Sequence, residues 1–273
     1  MTRDDLAGDD DSRRDPGENE PGRGPSEDDP GTVAGDDEPG PRPSDDRQET
    51  PLSDPRPRTG EHPGGPRHTE EPFLAVAATV REYLASDSSG HDMHHVWRVF
   101  RLTQRFADEL GADRVVVGCA ALTHDLHRVL GDGTGCDPEE TLPAVRRILE
   151  DAGLDGERIA AVAHCVAAHD DLAFRGENPA PETLEAEILR DADNLDAMGA
   201  VGVARTFAFG GVHGTPLWDP DGGEYSQLYH FEDKLFRLPD ELHTEPAREL
   251  AEERLAFLET FYERFLAEWH GEL

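Results

Sequence analysis

Residues 121–129 read ALTHDLHRV. Leu122, Leu126 and Val129 give the stretch an apolar, helix-spaced frame, yet it carries His124, Asp125 and His127. A charged Asp on a buried helix is costly unless it is paired or bound to a metal ion. Adjacent residues on a helix point about 100° apart, so His124 and Asp125 reach one ion only if other segments complete its shell. An ordinary His-Asp pair capped by solvent is the alternative, and for this stretch by itself that alternative is the stronger reading.

Two further stretches bear on that choice. Residues 91–99 read HDMHHVWRV, where His95 lies four residues before Val99 and shares its helix face. That face continues through Leu102 and Phe106, so His95 is expected on the core side. Residues 189–199 read LRDADNLDAMG, with Asp191, Asp193 and Asp196 close together. Carboxylates that crowded repel one another unless a cation neutralises them. Two imidazoles and two carboxylates make a mixed N/O ligand set, suited to Mn, Fe, Ni, Co or Zn and less well to Mg.

Outward from these segments the pattern is helical. Phe73, Val76, Ala77, Val80 and Leu84 fall at helix spacing, as do Val99, Leu102, Phe106 and Leu110, with Gly111 placed to end a helix. A helix is expected over about 113–130. Asp137-Pro138-Glu139-Glu140 is a start signal for the next, which ends near Asp151 before Gly153. Another follows Asp155 and carries Ile159, Val162, Ala163 and Val166. Helices are expected over about 181–197, 199–209 and Thr244 to Trp269, with 210–229 a long Gly-, Pro- and Asp-rich loop. Strand-like alternation and internal repeats are absent, so residues 71–273 read as one all-α domain. Residues 1–70 contain no Phe, Trp or Tyr and are dense in Asp, Glu, Pro and Gly. They read as a disordered acidic tail, with a docking tail as the alternative.

The chain has 273 residues, 60 Asp plus Glu against 26 Lys plus Arg, and a net charge of -34. Such a surface repels polyphosphate backbones and anionic lipids, so neither a nucleic-acid polymer nor a membrane is expected as a partner. At molar salt the Debye length is about 3 Å, which screens self-repulsion, so the acidity reads as adaptation to concentrated salt. Cys119, Cys136 and Cys165 are odd in number and widely spaced, and no signal peptide or membrane-length apolar run is present, which points to the cytoplasm. Oligomeric state is not legible.

His95, then His124-Asp125, then Asp193, in that order on an all-helical domain, resembles the HD superfamily of metal-dependent phosphohydrolases. The flanks carry the likeness further. SSGHDMHHVWRVFRLTQRFADELGAD, EAEILRDADNLDAMGAVGVARTF and HFEDKLFRLPDELHTEPARELAEERLAFLETF resemble segments of the small stand-alone HD hydrolases. The resemblance covers about residues 73–270. It implies an HD-domain helical bundle, a divalent metal held by His95, His124, Asp125 and Asp193, and hydrolysis of a small phosphorylated substrate, a nucleotide above all. His91 is set aside as a ligand, because the family's first His precedes its Val by four residues. His127 after the HD pair and the sequence of the 210–230 loop depart from the pattern.

Asp125 is expected to serve both metal and proton transfer, with His169 or His127 moving protons to the leaving group. For His169 the alternative is a helix C-terminal His facing the dipole. Arg98, Arg205 and Lys234 are candidates for holding phosphate, each with an ion pair or packing duty as its alternative. Lys234 stands out as the one lysine of the chain. Cys119, His124 and Cys165 lack zinc-site spacing, and Gly131–Gly135 reads as a turn. Two other functions are open: a non-catalytic metal-binding regulatory or ligand-sensing HD module, and a scaffold whose acidic tail recruits a basic partner.

Overall fold

The computed structural model describes residues 72–85, 90–130, 136–170, 180–221, 223 and 225–273. The expectations for residues 1–70 and for the turn at 131–135 lie outside the described residues. Among the described residues the chain is all-α, without a strand.

Five of the helices begin where the sequence supplies a side-chain cap. Helix α1 is Phe73–Leu84 and α2 is Met93–Leu110. Asp92 caps α2 by accepting from the backbone N–H groups of His94 and His95, both at 3.0 Å. Gly111 ends α2 at φ 79°, the left-handed conformation that favours glycine. Helix α3, Arg114–Thr123, starts on Asp113. Helix α4, Pro138–Asp151, carries a full capping box between Asp137 and Glu140. Helices α5, Gly156–Ala168, and α6, Leu184–Asp196, start on Asp155 and Thr183. Helices α7, Gly199–His213, α8, Tyr229–Asp233, and α9, Glu245–Trp269, complete the set.

Helix α3 is the central element. It packs against α1, α2, α5 and α6, and every residue from Val116 to Thr123 is buried. Phe73 and Phe100 meet edge to face at 5.0 Å under it, with Val96, Val99 and Phe106 beside them. Helix α9 lies on α6 and α7, where Phe207, Phe261 and Phe265 pack together. No helix among the described residues is long and apolar enough to cross a membrane.

Three boundaries differ from expectation. The helix expected over 113–130 stops at Thr123 and continues as a 3-10 turn, His124–Arg128. Thr123 turns its hydroxyl back to Cys119 O at 2.9 Å, and the tighter winding begins at the next residue. Helix α7 runs on to His213 through Gly210 and Gly211, which read as loop residues in sequence. At Gly210 a Cβ would come within 2.5 Å of the Gln227 side chain, so this glycine serves close packing. Finally, α8 and a 3-10 helix, Leu235–Glu241, form the segment before α9, burying Phe231, Leu235 and Leu238.

Candidate metal centre

The three stretches singled out in sequence converge at one point. Helix α2 delivers His95, the 3-10 turn delivers His124 and Asp125, and α6 delivers Asp193. His95 Nε2 lies 3.1 Å from His124 Nε2, 3.0 Å from Asp125 Oδ2 and 3.4 Å from Asp193 Oδ1. His124 Nε2 lies 3.7 Å from both Asp125 Oδ2 and Asp193 Oδ1. Ligands around one ion with bonds of about 2.1 Å stand about 3.0–3.4 Å apart, so the spacing fits a single divalent ion. His95 and His124 are fully buried and Asp125 is almost so.

The second nitrogen of each imidazole is fixed from behind. His124 Nδ1 donates to Ala121 O at 2.9 Å, and a carbonyl can only accept, so Nε2 keeps its lone pair. His95 Nδ1 faces Asp196 Oδ2 at 2.8 Å. Asp196 also accepts from Arg98 Nε at 2.7 Å, Arg98 Nη2 at 3.0 Å and Arg205 Nη1 at 2.8 Å. A carboxylate behind a ligating imidazole sets its tautomer and ring orientation. Buried carboxylates of this kind require positive charge close by. Burial alone would raise the Asp125 carboxyl, but His124, Arg128 and His95 hold it well below the usual range. Burial lowers His95, and Asp125, Asp196 and Asp193 outweigh it and take the imidazole up to about 9. A proton and a metal ion compete for the same Nε2. Buried carboxylates around imidazole nitrogens of this geometry fit a borderline transition-metal ion.

The three crowded carboxylates of α6 therefore have three different fates. Asp193 joins the centre and Asp196 backs it. Asp191 instead holds the residues that lead into α9: it accepts from His243 N at 2.8 Å, and from Thr244 N and Oγ1 at 2.7 Å each, tying α6 to the start of α9.

The other singled-out residues divide into two groups. Arg205 and Lys234 line a cavity of about 380 Å³ beside the centre, together with His91, Arg128, Tyr225 and Gln227. Arg98 is turned away from that cavity and forms a two-pronged pair with Asp196. His169 lies at the end of α5, its ring 5.2 Å from that of His124, and Nδ1 donates to Val166 O at 2.7 Å. Burial and the neighbouring His124 hold its imidazole down at about 4, so it is neutral near pH 7. His127 Nδ1 donates to His124 O at 3.0 Å.

Sequence reasoning underrated two residues and missed the role of a third. His91 Nδ1 stands 3.0 Å from Asp125 Oδ2, so a residue set aside as a ligand touches the centre. Arg128 Nε donates to Asp125 Oδ1 at 2.8 Å, a contact legible as the three-residue spacing between them. Asp196, three residues beyond Asp193 on α6, was visible as a neighbour and not as the group behind His95.

Comparison with known proteins agrees with this geometry. The HD domain matches residues 93–198. The chain is similar to the uncharacterized protein YpgQ of Bacillus subtilis, 38% identical over 192 residues, covering 68% of this chain and 88% of that protein. The crystal structure of YpgQ in complex with ADP matches with 36% identity and a TM-score of 0.56, over 70% of this chain and 96% of that one. An HD-superfamily hydrolase of Bacillus thuringiensis matches with 31% identity and a TM-score of 0.58, over 72% and 96%. A protein of Lactobacillus plantarum matches with 28% identity and a TM-score of 0.62, over the same shares. With a relative of this identity spanned almost end to end, and the HD signature gathered at one buried point, the chain belongs to the HD-domain family.

Proposed function

We propose that this protein hydrolyses a phosphate ester or anhydride of a nucleotide or related phosphorylated metabolite, using a divalent ion held by His95, His124, Asp125 and Asp193. The observation that carries the reading is one of placement. In a chain of net charge -34, Arg128, Arg205, Lys234 and His91 converge on one cavity, and His91 and Arg128 both hydrogen-bond Asp125. A phosphate entering there meets cationic donors and lies against the metal ligands.

When bound, the ion would supply a water of lowered pKa and a Lewis acid for a phosphoryl oxygen. Asp125 would accept the proton of that water, with Arg128 and His91 fixing its two oxygens. Arg205 and Lys234 hold the phosphate chain, and Arg205 also links the cavity to Asp196. Arg98 stands behind His95 and keeps Asp196 in place. His169 contributes a lone pair on Nε2 and not an acidic proton. A relative that binds ADP in its crystal structure supports a nucleotide as the occupant of the cavity.

The test is a panel of nucleoside mono-, di- and triphosphates and a chromogenic phosphoester, assayed with Mn, Fe, Ni, Co, Zn or Mg at low and molar KCl. Turnover that disappears in Asp125→Asn is the expected result. Tight binding of metal and nucleotide without turnover in any condition would overturn catalysis and leave the ligand-sensing reading.

A further inference from the structure

The cavity beside the centre has two chemically different ends. Near the centre it is lined by Arg205, which pairs with Asp196, and by His91 and Arg128, which pair with Asp125. Further along α7 it is lined by Phe209, Thr215, Tyr225 and Gln227, none of them charged. Backbone and side-chain contacts gather this end. Thr215 N donates to Gly210 O at 2.9 Å, Thr215 Oγ1 donates to the Tyr225 hydroxyl at 3.4 Å, and Gln227 N donates to Pro216 O at 2.9 Å. An α-helix rises about 1.5 Å per residue, so Arg205 and Gly210 stand about 7.5 Å apart along α7. That is close to the reach of one ribose between a phosphate and a base.

Gln227 is 6% exposed, and its side-chain amide hydrogen-bonds no other described residue. It lies in the space that a Cβ on Gly210 would fill, 2.5 Å from its Cγ and Cδ and 2.8 Å from its Nε2. The glycine makes room for an amide that the protein itself leaves unsatisfied. An amide carries two donors and an acceptor, and burying it without partners is costly. Phe209 and Tyr225, 41% and 69% exposed, bring aromatic rings to the same end. Aromatic faces around a buried amide suit a flat heteroaromatic ring with a polar edge.

We propose that Gln227 reads the base of the bound nucleotide and selects adenine, an inference that rests on the reading of the cavity as a nucleotide site. A Gln amide presents its C=O and N–H side by side. Adenine offers a matching amine and ring nitrogen on both of its edges, whereas guanine matches on one edge and shows two acceptors on the other. Phe209 and Tyr225 supply the faces against which the ring lies. Gln227 and Tyr225 belong to the stretch 210–230, whose sequence departs from the family's pattern, so the selectivity is this chain's own.

Full-length protein loaded with Mn is titrated by calorimetry with the α,β-methylene diphosphates of adenosine, guanosine and purine riboside, the last of which lacks the amine. Methylenediphosphonate, which carries no base, is the fourth probe. The wild type is expected to bind the adenosine compound about tenfold or more tightly than the other two nucleoside compounds. Gln227→Leu, and Gly210→Ala through a Cβ that displaces the amide, should bring all three to the same affinity. Both variants should bind methylenediphosphonate as the wild type does, which reports a folded protein with its phosphate end intact. Any order other than adenosine first in the wild type overturns the proposal, as does a preference for adenosine that survives in Gln227→Leu. Methylenediphosphonate bound as tightly as the adenosine compound overturns the base subsite and leaves the phosphate end standing. Failure of the wild type to bind any of the four overturns the nucleotide reading of the cavity, and this inference with it.

Discussion

The metal ligands and the cavity beside them are built in opposite ways. His95, His124 and Asp125 sit on α2 and the 3-10 turn that follows α3, in the closed centre of the bundle. The cavity is walled by α7, the segment before α8, and α8 itself, where Phe209, Leu217 and Tyr225 are exposed. One region is fixed by packing on every side, and the other is a partly open surface held by few neighbours. Substitutions in the first should therefore act on whether the centre exists. Substitutions in the second should act on what it accepts.

The largest effect is expected at Asp125. It belongs to the proposed centre and pairs with His91 and Arg128 at once. Asp125→Ala should reduce kcat by at least about 10³-fold and lower metal occupancy, while the apo fold persists because a buried charge is removed with it. Full occupancy with near-normal turnover would erase the distinction between the two regions. Asp196→Asn comes next, and it sharpens the comparison because Asp196 touches both sides through His95 and Arg205. Metal affinity measured by dialysis should fall about 10–100-fold, the usual cost of losing the carboxylate behind a ligating imidazole. Unchanged affinity would show that packing alone holds His95.

On the cavity side, Lys234→Gln should raise KM about 5–10-fold, about 1–1.4 kcal/mol, with metal content unchanged. A fall in kcat at constant KM would move Lys234 from substrate holding to the reacting groups. The smallest effects concern charge as a whole. Melting temperature should rise by about 2–4 °C or more as KCl goes from low to molar, since screening relieves repulsion among carboxylates. Removal of residues 1–68 should change neither that response nor KM. A flat salt dependence would contradict adaptation to salt, and a large loss of stability would show that the N-terminal segment joins the fold.

The starts of α4 and α5 were legible because they are local: Asp137 and Asp155 each cap the helix that follows by bonding backbone N–H groups two or three residues on, and Asp92 and Asp113 do the same in the structure. The gathering of His95, His124, Asp125 and Asp193 was legible through order and flanks, since His95 continues the apolar face of α2. Two things were misread for opposite reasons. The switch from α3 to a 3-10 turn at His124 depends on how Thr123 and its neighbours pack, which helix periodicity does not encode. The extension of α7 was hidden because Gly210 looks like a loop residue until Gln227 is seen against it.

By itself the sequence determined the helical bundle, because helix formation and apolar periodicity are short-range properties, and its resemblance to the HD superfamily pointed to His95, His124, Asp125 and Asp193. Only the tertiary structure decided the division of labour around them. Asp191, Asp193 and Asp196 lie close together in sequence, yet one holds His243 and Thr244 ahead of α9, one enters the centre and one backs His95. Arg98 and Arg205 look alike on paper, yet one is committed to Asp196 and the other also reaches the cavity. Which partner a carboxylate or a guanidinium finds depends on residues far away in the chain that the fold brings within about 3 Å, the range over which hydrogen bonds act.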